Sequence, residues 1–475
     1  MLERGDGWYC NPPLPKSILL RVAGPLKSQD LTSGLIVQHM CHLAVPSSIG
    51  LFFQTMYNVV DSVYAGYIST LALAALGLSF PVFLVIIATS GGLSRGASAL
   101  ISNAIGAGDS DRQRTYATQA LSVAIVISVL LTAAGFLLAE PLFRLMGASG
   151  EYLQVALAYM IPVFSGAVFF VLINLCNAIL VASGDSKTFG LVLVVGFFAN
   201  LVLDPWFLYG GWGVPAMGVA GIAWATVVIQ GAGSLVLLAT IVKRKLLVVE
   251  AWTDLLPNLK IYREIARQAV PASFNIMQVA ISFFVITYFL KTYGEANVAA
   301  FGVTTRIEQI GLLPTMGLSA AIMALVGQNN GAKLFGRIRL TMKLAIIAGQ
   351  VLNGAAAIIM FFFARQLMQI FTNDEEVIRL GVNCLYVIAP IQWSYVLTAA
   401  HLNMLQAMKR PMYGFYEAMF RKVILPAPLF WLFVSYWAMP VEWIWYSVAV
   451  TNVLMTIVTV IIGQRVLASL PRDVA

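Results

Sequence analysis

The chain has 475 residues, of which 60% are hydrophobic and only 11% are charged. This composition excludes a set of soluble globular domains and indicates a polytopic membrane protein. The formal net charge is +8 at pH 7, but the basic residues cluster between apolar stretches, so the charge reflects membrane topology and no nucleic-acid partner is expected.

Twelve apolar stretches are long enough to cross a bilayer, whose hydrocarbon core needs about 20 residues per helix. The predicted spans are 41–67, 73–100, 116–138, 153–182, 187–210, 216–242, 268–290, 297–326, 343–364, 378–405, 413–438 and 441–464. The predicted fold is therefore an all-α polytopic membrane protein with twelve transmembrane helices. The polar, proline-containing segment before the first span lacks the pattern of a signal peptide, so no cleavage is expected there.

The first span contains an acid, Asp61, in the stretch MYNVVDSVYAG, with no basic residue near it in sequence. On a helix, the polar residues around it fall within one arc of about 120°. They are Gln54, Thr55, Asn58, Asp61 and Ser62. A charged residue at the bilayer centre costs about 2.5–3.5 kcal/mol on insertion scales, so Asp61 is a functional candidate. The alternative is an aspartate that caps a helix end at the membrane interface.

The second and eighth spans indicate an internal duplication. GGLSRGASALISNAIGAG aligns without gaps with MGLSAAIMALVGQNNGAK at an offset of 225, which is residue 302 minus residue 77. The same offset pairs Pro46 with Pro271. The pattern predicts two homologous six-helix halves that enter the membrane in the same direction, and transporters commonly bind their substrate between such halves.

Further polar side chains occur in the fourth and fifth spans. Asn174 lies in the fourth span. In the fifth, Gly196, Asn200 and Asp204 recur every four residues, so the amide and the carboxylate share a helix face whose glycine permits close helix approach. Pro205 follows directly, which leaves open an alternative in which Asp204 lies at a helix boundary.

The acids of the first half are not duplicated in the second. The offset places Ile286 opposite Asp61, and Leu425 stands where Asp204 would be if the neighbouring prolines correspond. If both acids converge in one cavity, their repulsion favours the binding of a proton, or of Na⁺ held by carboxylate, amide and hydroxyl oxygens. The residues permit either ion.

Positive charge is concentrated in the even-numbered connections and after the last span, which predicts that these segments are cytoplasmic. The basic residues concerned are Lys243, Arg244, Lys245, Lys260, Arg263, Arg267, Lys333, Arg337, Arg339, Lys343, Lys409, Arg410 and Arg465. The predicted organisation is a cytoplasmic segment 1–40, an N-terminal lobe 41–242, a cytoplasmic linker 243–267, a C-terminal lobe 268–465 and a cytoplasmic tail 466–475.

Other charged residues inside the spans have structural interpretations. Glu417 and Arg421 are four residues apart and are predicted to pair on one helix face. Arg306 and Glu308 are two apart and cannot face each other, so each needs a different partner. For His401 a polar contact is favoured over a role as a proton shuttle.

Several of these stretches resemble the multidrug and toxic compound extrusion (MATE) family. They are YNVVDSVYAG in the first span, GLSFP and GGLSRGASALISNAIGAGD in the second, NLVLDPWF and GVAGIAWAT from the fifth into the sixth, and GLSAAIMALVGQNNGA in the eighth. The likeness extends over about residues 40–465 and looks closest to the bacterial branch related to DNA-damage-inducible exporters. It implies two six-helix lobes around a V-shaped central cavity.

The resemblance also implies roles for individual residues. The cation-coupling residues of that branch match Asp61, Asn200, Asp204 and Thr226, which would also hold Na⁺ if that is the ion. Supporting cavity residues match Tyr57 and Asn174, the polar stripe adds Gln54 and Asn58, and the helix-bending proline matches Pro46. The seventh and tenth spans lack the acids that another branch carries there, so a cation site in the second half is not expected.

The function implied is a secondary active multidrug exporter of the bacterial inner membrane, with both termini cytoplasmic. It would exchange organic, often cationic compounds for inward H⁺ or Na⁺ by alternating access, as a monomer in the lipid bilayer, with no cofactor beyond the coupling ion. The alternative is a lipid or lipid-linked-glycan flippase, for which Arg306 is the one clear cationic side chain. An enzyme or a channel is disfavoured because no catalytic motif is recognised and the repeats are two large halves.

Overall fold

The computed structural model describes residues 30–211, 213–247 and 252–471, and within these ranges the regular structure is helical. The first half contains α1 (Ile36–Ile68), α2 (Thr70–Gly106), α3 (Ser110–Leu145), α4 (Gly150–Ser165), α5 (Ala167–Ala182), α6 (Lys187–Tyr209) and α7 (Val219–Lys243). The second half contains α8 (Leu259–Leu290), α9 (Glu295–Gly331), α10 (Phe335–Phe362), α11 (Ala364–Gln369), α12 (Glu375–Ile388), α13 (Gln392–Ala407), α14 (Met412–Met419), α15 (Pro426–Phe430) and α16 (Glu442–Ser469). Parts of the predicted N-terminal segment (1–29), linker (248–251) and tail (472–475) lie outside the described residues.

The helices of the described ranges provide twelve membrane crossings. Eleven are helical spans that are each long and apolar enough to cross a bilayer. The twelfth is the pair α4 and α5, whose axes meet at an angle of 50°. The predicted all-α polytopic fold with twelve spans is confirmed.

Helix boundaries differ from the predicted spans because helical hydrogen bonding does not end where the apolar sequence ends. α1 begins at Ile36, before the predicted start at residue 41, and α8 begins at Leu259, before residue 268. The crossing that contains α14 and α15 includes two π-helical segments, Phe420–Ile424 before α15 and Trp431–Tyr436 after it. Prolines at the start of α15 lack the N–H that a regular α-helix needs, so the hydrogen-bond pattern changes there.

The duplication is visible in how the two halves pack. α2 packs on α8, and its counterpart α9 packs on α1. A Cβ added to Gly92 of α2 would lie 1.9 Å from Oγ of Ser273 on α8. The matching pair repeats this contact, since a Cβ on Gly317 would lie 2.1 Å from Oγ of Ser48. Small residues therefore bring the halves together at two pseudo-equivalent places.

The halves are closed at the end that carries the basic connections. A Cβ on Gly106 would lie 1.8 Å from the carbonyl oxygen of Gln328, and one on Gly331 would lie 2.0 Å from that of Asn103. Toward the opposite end of α2, a Cβ on Gly77 would meet no heavy atom within 4 Å, and the same holds for its repeat partner on α9. The two halves thus meet closely at the basic end, and these two glycines near the opposite end of α2 and α9 make no comparable contact.

Residues just before α1 reinforce the closed end. Leu31 is fully buried, and its N–H donates to Oε1 of Gln328 at 3.0 Å. The Leu31 carbonyl accepts hydrogen bonds from Nδ2 of Asn329 and from the guanidinium of Arg337, both at 3.2 Å. Part of the predicted N-terminal segment is therefore packed against the second half.

Candidate functional site

Three helices of the first half bring the predicted coupling residues into one buried cluster. Asp61 lies on α1, Asn200 and Asp204 lie one turn apart on α6, and Thr226 lies on α7. Residues four apart share a helix face, so the two α6 side chains point together toward α1. All four side chains are buried.

Glycines allow these helices to come close. A Cβ on Gly190 of α6 would lie 2.7 Å from the carbonyl oxygen of Pro46 on α1. One turn before Asn200, a Cβ on Gly196 would lie 3.1 Å from Cγ2 of Ile229 on α7. The four-residue repeat of glycine, amide and carboxylate on α6 therefore serves both close packing and the site.

Asp61 is the centre of the hydrogen-bonded cluster. Nδ2 of Asn200 donates to its Oδ1 at 3.0 Å. The Thr226 hydroxyl lies 3.4 Å from Oδ2 and also donates to the backbone carbonyl of Ile222 at 3.1 Å. The Asp204 carboxyl lies beside that of Asp61, close enough for a hydrogen bond once one of the two carries a proton. The two acids therefore meet in one site.

Several buried oxygen atoms of the cluster have no hydrogen-bond partner among the described residues. They are both carboxyl oxygens of Asp204, Oδ1 of Asn200 and the hydroxyl of Tyr57. Buried polar atoms are normally paired, so unpaired ones need an explanation. Adjacent carboxylates repel each other, and a proton held between them, or a hard cation bound by these oxygens, would remove the repulsion and supply the missing partner.

Neither acid caps a helix end. α1 continues past Asp61 to Ile68, and α6 continues through Pro205 to Tyr209. The alternatives that placed these aspartates at helix boundaries are therefore wrong. Pro205 does not end α6, because a proline inside a membrane helix is accommodated when other groups satisfy the freed carbonyl.

Each proline of α1 and α6 leaves one backbone carbonyl without an N–H donor, and a hydroxyl from the neighbouring helix bonds that carbonyl. Pro46 has no N–H for the carbonyl of His42, one turn earlier, and the Ser186 hydroxyl at the start of α6 donates to that carbonyl at 3.1 Å. Pro205 likewise frees the carbonyl of Leu201, and the Tyr64 hydroxyl of α1 lies 3.4 Å from it. Each helix thus supplies a hydroxyl donor to the backbone carbonyl that the proline of the other helix leaves free.

Other predicted site residues lie further from the acids. Tyr57 lies one turn from Asp61 and faces the cluster. The Asn58 side chain is exposed, and Gln54 is half-buried; among the described residues neither forms a hydrogen bond to the acids. Asn174 donates to the carbonyl of Phe170 within its own helix at 2.9 Å. The polar stripe of the first span is therefore split between the buried cluster and an exposed face.

Two residues that the sequence analysis did not single out lie near functional positions. Tyr159 of α4 is close enough to both acids to interact with them electrostatically. Arg95 of α2 lines a cavity together with Arg421 and Lys422 of the second half. Arg306 is therefore not the only clear cationic side chain of the spans. Arg95 could have been identified from the sequence, because it is an arginine inside the apolar stretch GGLSRGASAL.

The remaining charged residues behave as predicted for structural groups. Glu417 and Arg421 form the expected ion pair, at 2.5 Å. Glu308 interacts with Tyr395 and Arg421, which agrees with the expectation that its partner is not Arg306. His401 is fully buried; its Nδ1 lies 2.7 Å from the Leu397 carbonyl, which fits a polar contact.

A family model described as MatE matches residues 46–206 and 271–432. The two matched segments begin 225 residues apart, which agrees with the offset of the internal repeat. They cover more than half of the chain.

The chain is also similar to individual proteins. It is 28% identical to the "Probable multidrug resistance protein YoeA" of Bacillus subtilis, over 78% of this chain and 81% of that protein. It is 28% identical to the "FAD transporter" of Shewanella oneidensis, over 92% of this chain and 96% of that protein.

Solved structures give the same likeness. A MOP superfamily transporter from Pyrococcus furiosus, described as having a binding pocket of reverse polarity, superimposes with a TM-score of 0.87 at 28% identity, over 93% of this chain and 98% of that one. An outward-facing multidrug resistance MATE family transporter superimposes with a TM-score of 0.86 at 27% identity, over the same shares of the two chains.

Proposed function

This chain belongs to the MatE family, and on that premise we propose that it is a secondary active exporter that exchanges small organic molecules for inward H⁺ or Na⁺. The observation that carries the coupling proposal is the buried pair of adjacent acids, Asp61 and Asp204, whose surroundings include several unpaired oxygens. A structural ion pair would have a basic partner. In the part of the chain that the structure describes, neither acid forms an ion pair with a basic side chain, so the two suit a transient cation.

The first step of the proposed cycle is cation binding at this pair. Asn200 donates a hydrogen bond to one carboxyl oxygen of Asp61, and the Thr226 hydroxyl on α7 contacts the other. Binding neutralises the cluster and relieves the repulsion between α1 and α6 that both carboxylates create. The packing of these two helices then changes, with Pro46 as the point in α1 where the backbone ladder is already interrupted.

The energy available is adequate for uphill export. One charge that moves inward through a potential of 100 mV supplies about 2.3 kcal/mol. A tenfold gradient of the coupling ion adds about 1.4 kcal/mol. Together they support an outward substrate gradient of several hundredfold when one ion is exchanged per neutral molecule.

The orientation proposed follows the basic connections, which would lie in the cytoplasm of a bacterial cell with both termini inside. The closed end of the molecule is then the cytoplasmic end, and the conformation faces outward. We place the protein in the branch related to DNA-damage-inducible exporters, because its paired acids lie in the first half, and we expect a monomer with no cofactor beyond the coupling ion.

The test is transport in liposomes by the purified protein, with ethidium as a cationic probe and carboxyfluorescein as an anionic one. A pH gradient and a Na⁺ gradient are imposed separately on wild type and on Asp61→Asn. The control is Asp111→Asn, the same chemical change at an exposed acid in the first turn of α3. We expect one gradient to drive transport of at least one probe in wild type and in the control, and Asp61→Asn to lose it.

Full coupling in Asp61→Asn would refute the assignment of this site. Movement of neither probe under either gradient would refute export of such molecules. Which gradient works would identify the coupling ion.

A flippase is the second candidate, because Arg95 and Lys422 supply cationic side chains that a lipid phosphate would need. Thermal stabilisation of the purified protein by a lipid-linked precursor, and by neither probe above, would favour this function over export of soluble molecules.

A further inference from the structure

A second site lies between α2 of the first half and four helices of the second, α8, α9, α13 and α14. It is a cavity of about 320 Å³, within the range of small-molecule sites. Its walls mix apolar side chains such as Leu312 and Met316 with amides such as Asn275 and Gln309. The acids of the coupling site do not line it.

Three basic side chains line this cavity. Arg95 comes from α2, and Arg421 and Lys422 come from the π-helical segment Phe420–Ile424. No aspartate or glutamate is among the residues that line it in the described ranges. Arg306 lies on α9 three residues before the lining residue Gln309, on the same helix face, and adds an exposed cation near the cavity.

The two acids nearby lie closest to Arg421, and one of them, Glu417, also lies near Lys422. Glu417 pairs with Arg421, and Glu308 also lies near Arg421. Among the described residues, neither Arg95 nor Lys422 forms an ion pair. A charged side chain in a membrane interior normally has a partner; in the described ranges Arg95 has no acid paired with it, and Lys422 has only the nearby carboxylate of Glu417, which is already bound to Arg421.

The position of Arg95 in the repeat shows that this charge is not needed for packing. The residue that the offset pairs with it is Ala320, on the matching turn of α9. Gly92 and Gly317, three residues earlier on their helices, make equivalent contacts in the two halves. The close contact between the two halves therefore forms with either alanine or arginine at this position, and only the first half carries the arginine.

We propose that this cavity binds the exported molecule through an anionic group, a carboxylate or a phosphate, held between Arg95 and Lys422. Arginine offers two parallel N–H donors to such a group, and lysine offers a compact charge. The amides and the Tyr395 hydroxyl supply further polar contacts, and the apolar wall takes the organic part. This inference rests on the proposed function and names its substrate class as organic anions.

The experiment uses the full-length protein and two readouts. Binding of carboxyfluorescein is measured in detergent by fluorescence anisotropy, and its gradient-driven movement is measured in liposomes, with ethidium as the cation in both. The variants are Arg95→Gln, Arg95→Lys and Lys422→Gln. The matched control is Arg365→Gln, which removes an exposed arginine outside the cavity.

We expect wild type and Arg365→Gln to bind and move carboxyfluorescein. Arg95→Gln and Lys422→Gln should each weaken its binding at least tenfold, and Arg95→Lys should restore part of it. Since the two neutral variants are on different helices, misfolding of one does not remove the test. Equal binding of carboxyfluorescein by wild type and by both neutral variants would overturn the proposal, as would a wild type that binds only ethidium.

The outcomes separate this inference from the proposed function. Gradient-driven transport of ethidium without binding of carboxyfluorescein leaves the exporter in place and removes the anion site. Arginine-dependent binding of carboxyfluorescein without gradient-driven transport of either probe would keep the anion site and remove the proposed exporter. A third arm follows an NBD-labelled phosphatidylglycerol across the bilayer, and Arg95-dependent movement of this lipid alone would support the anion site with a lipid as its source.

Discussion

At the scale of single residues, the sequence predicts well which polar side chains form the buried cluster around Asp61. An acid in an apolar span is costly, and the four-residue spacing of Asn200 and Asp204 fixes a common face. These two facts are enough to identify both acids as functional candidates. They do not show that the acids touch, because the distance between α1 and α6 depends on tertiary packing at Gly190.

Substitution of Thr226 would distinguish between the two ions proposed for the cluster. Thr226→Val keeps the side-chain shape but removes one oxygen from the shell around Asp61. If the ion is Na⁺, loss of one ligand should raise the half-saturating Na⁺ concentration about tenfold or more. If it is H⁺, the carboxyl pair alone carries the proton, and transport should change less than twofold.

The measurement is the initial transport rate over a range of Na⁺ and of pH. The matched control is Thr89→Val, which removes a hydroxyl whose one hydrogen bond among the described residues is to the Val85 carbonyl of its own helix. A large effect of Thr226→Val on proton-driven transport would contradict this division of roles.

Asn200 should matter for either ion. Asn200→Leu removes the donor to Asp61 and leaves that buried carboxyl without its closest partner, at 3.0 Å. Loss of a donor to a buried charged group costs about 1.5–3 kcal/mol, so we expect the apparent affinity for the coupling ion to change about tenfold or more. Ion-dependent transport rates of the purified variant would measure it, and an unchanged dependence would show that Asn200 is only a packing residue.

At the scale of helices, the reciprocal bonds between α1 and α6 join the two elements of the site. Ser186→Ala should free the carbonyl of His42, and Tyr64→Phe that of Leu201. Each change should lower the free energy of unfolding by about 0.5–1.5 kcal/mol, the net value of one hydrogen bond. Ser186 should have the larger effect because its bond is shorter.

The check is a denaturation series in mixed micelles with each single variant and the double variant. Thr240→Val is a matched control, since in the described ranges its exposed hydroxyl forms one hydrogen bond, to the Val236 carbonyl of its own helix. The two losses should add, because the bonds lie at opposite ends of the helices. A loss in the control as large as in Ser186→Ala would contradict the assignment.

Helices are also where prediction from sequence is least complete. Periodicity and length give all twelve spans, yet they do not reveal that α4 and α5 bend by 50° or that two π-helical segments flank α15. The contributions of Ser186 and Tyr64 are not predictable either. They depend on which helix lies beside each proline, and a sequence gives only the proline itself.

At the scale of the whole molecule, the closed end is held by glycines whose contacts are too short for a side chain. Gly331→Ala would place a Cβ 2.0 Å from the carbonyl oxygen of Asn103, so it should prevent this closure and favour the other conformation. Gly77→Ala is the control, because it faces open space.

Spin labels on the two halves, measured by pulsed EPR at both ends of the molecule, would report the change. We expect Gly331→Ala to lengthen distances at the basic end and to slow transport at least tenfold, and Gly77→Ala to match wild type. Unchanged distances in Gly331→Ala would show that the contact is not required for closure. The duplication itself was predictable from the offset of 225, but which end is closed was not, since both conformations share one sequence.

The separation of the acid pair from the basic cavity has a consequence for the order of events in a transport cycle. The pair lies within α1, α6 and α7, whereas the cavity is lined by α2 and the second half. If the ion binds at the acid pair and the substrate binds in the cavity, as proposed, neither needs to displace the other, and a ternary complex can form. Raising the concentration of the coupling ion should then change the maximal rate of exchange and leave the KM for substrate nearly constant. A single shared site would instead give competition, with a KM that rises in proportion to the ion.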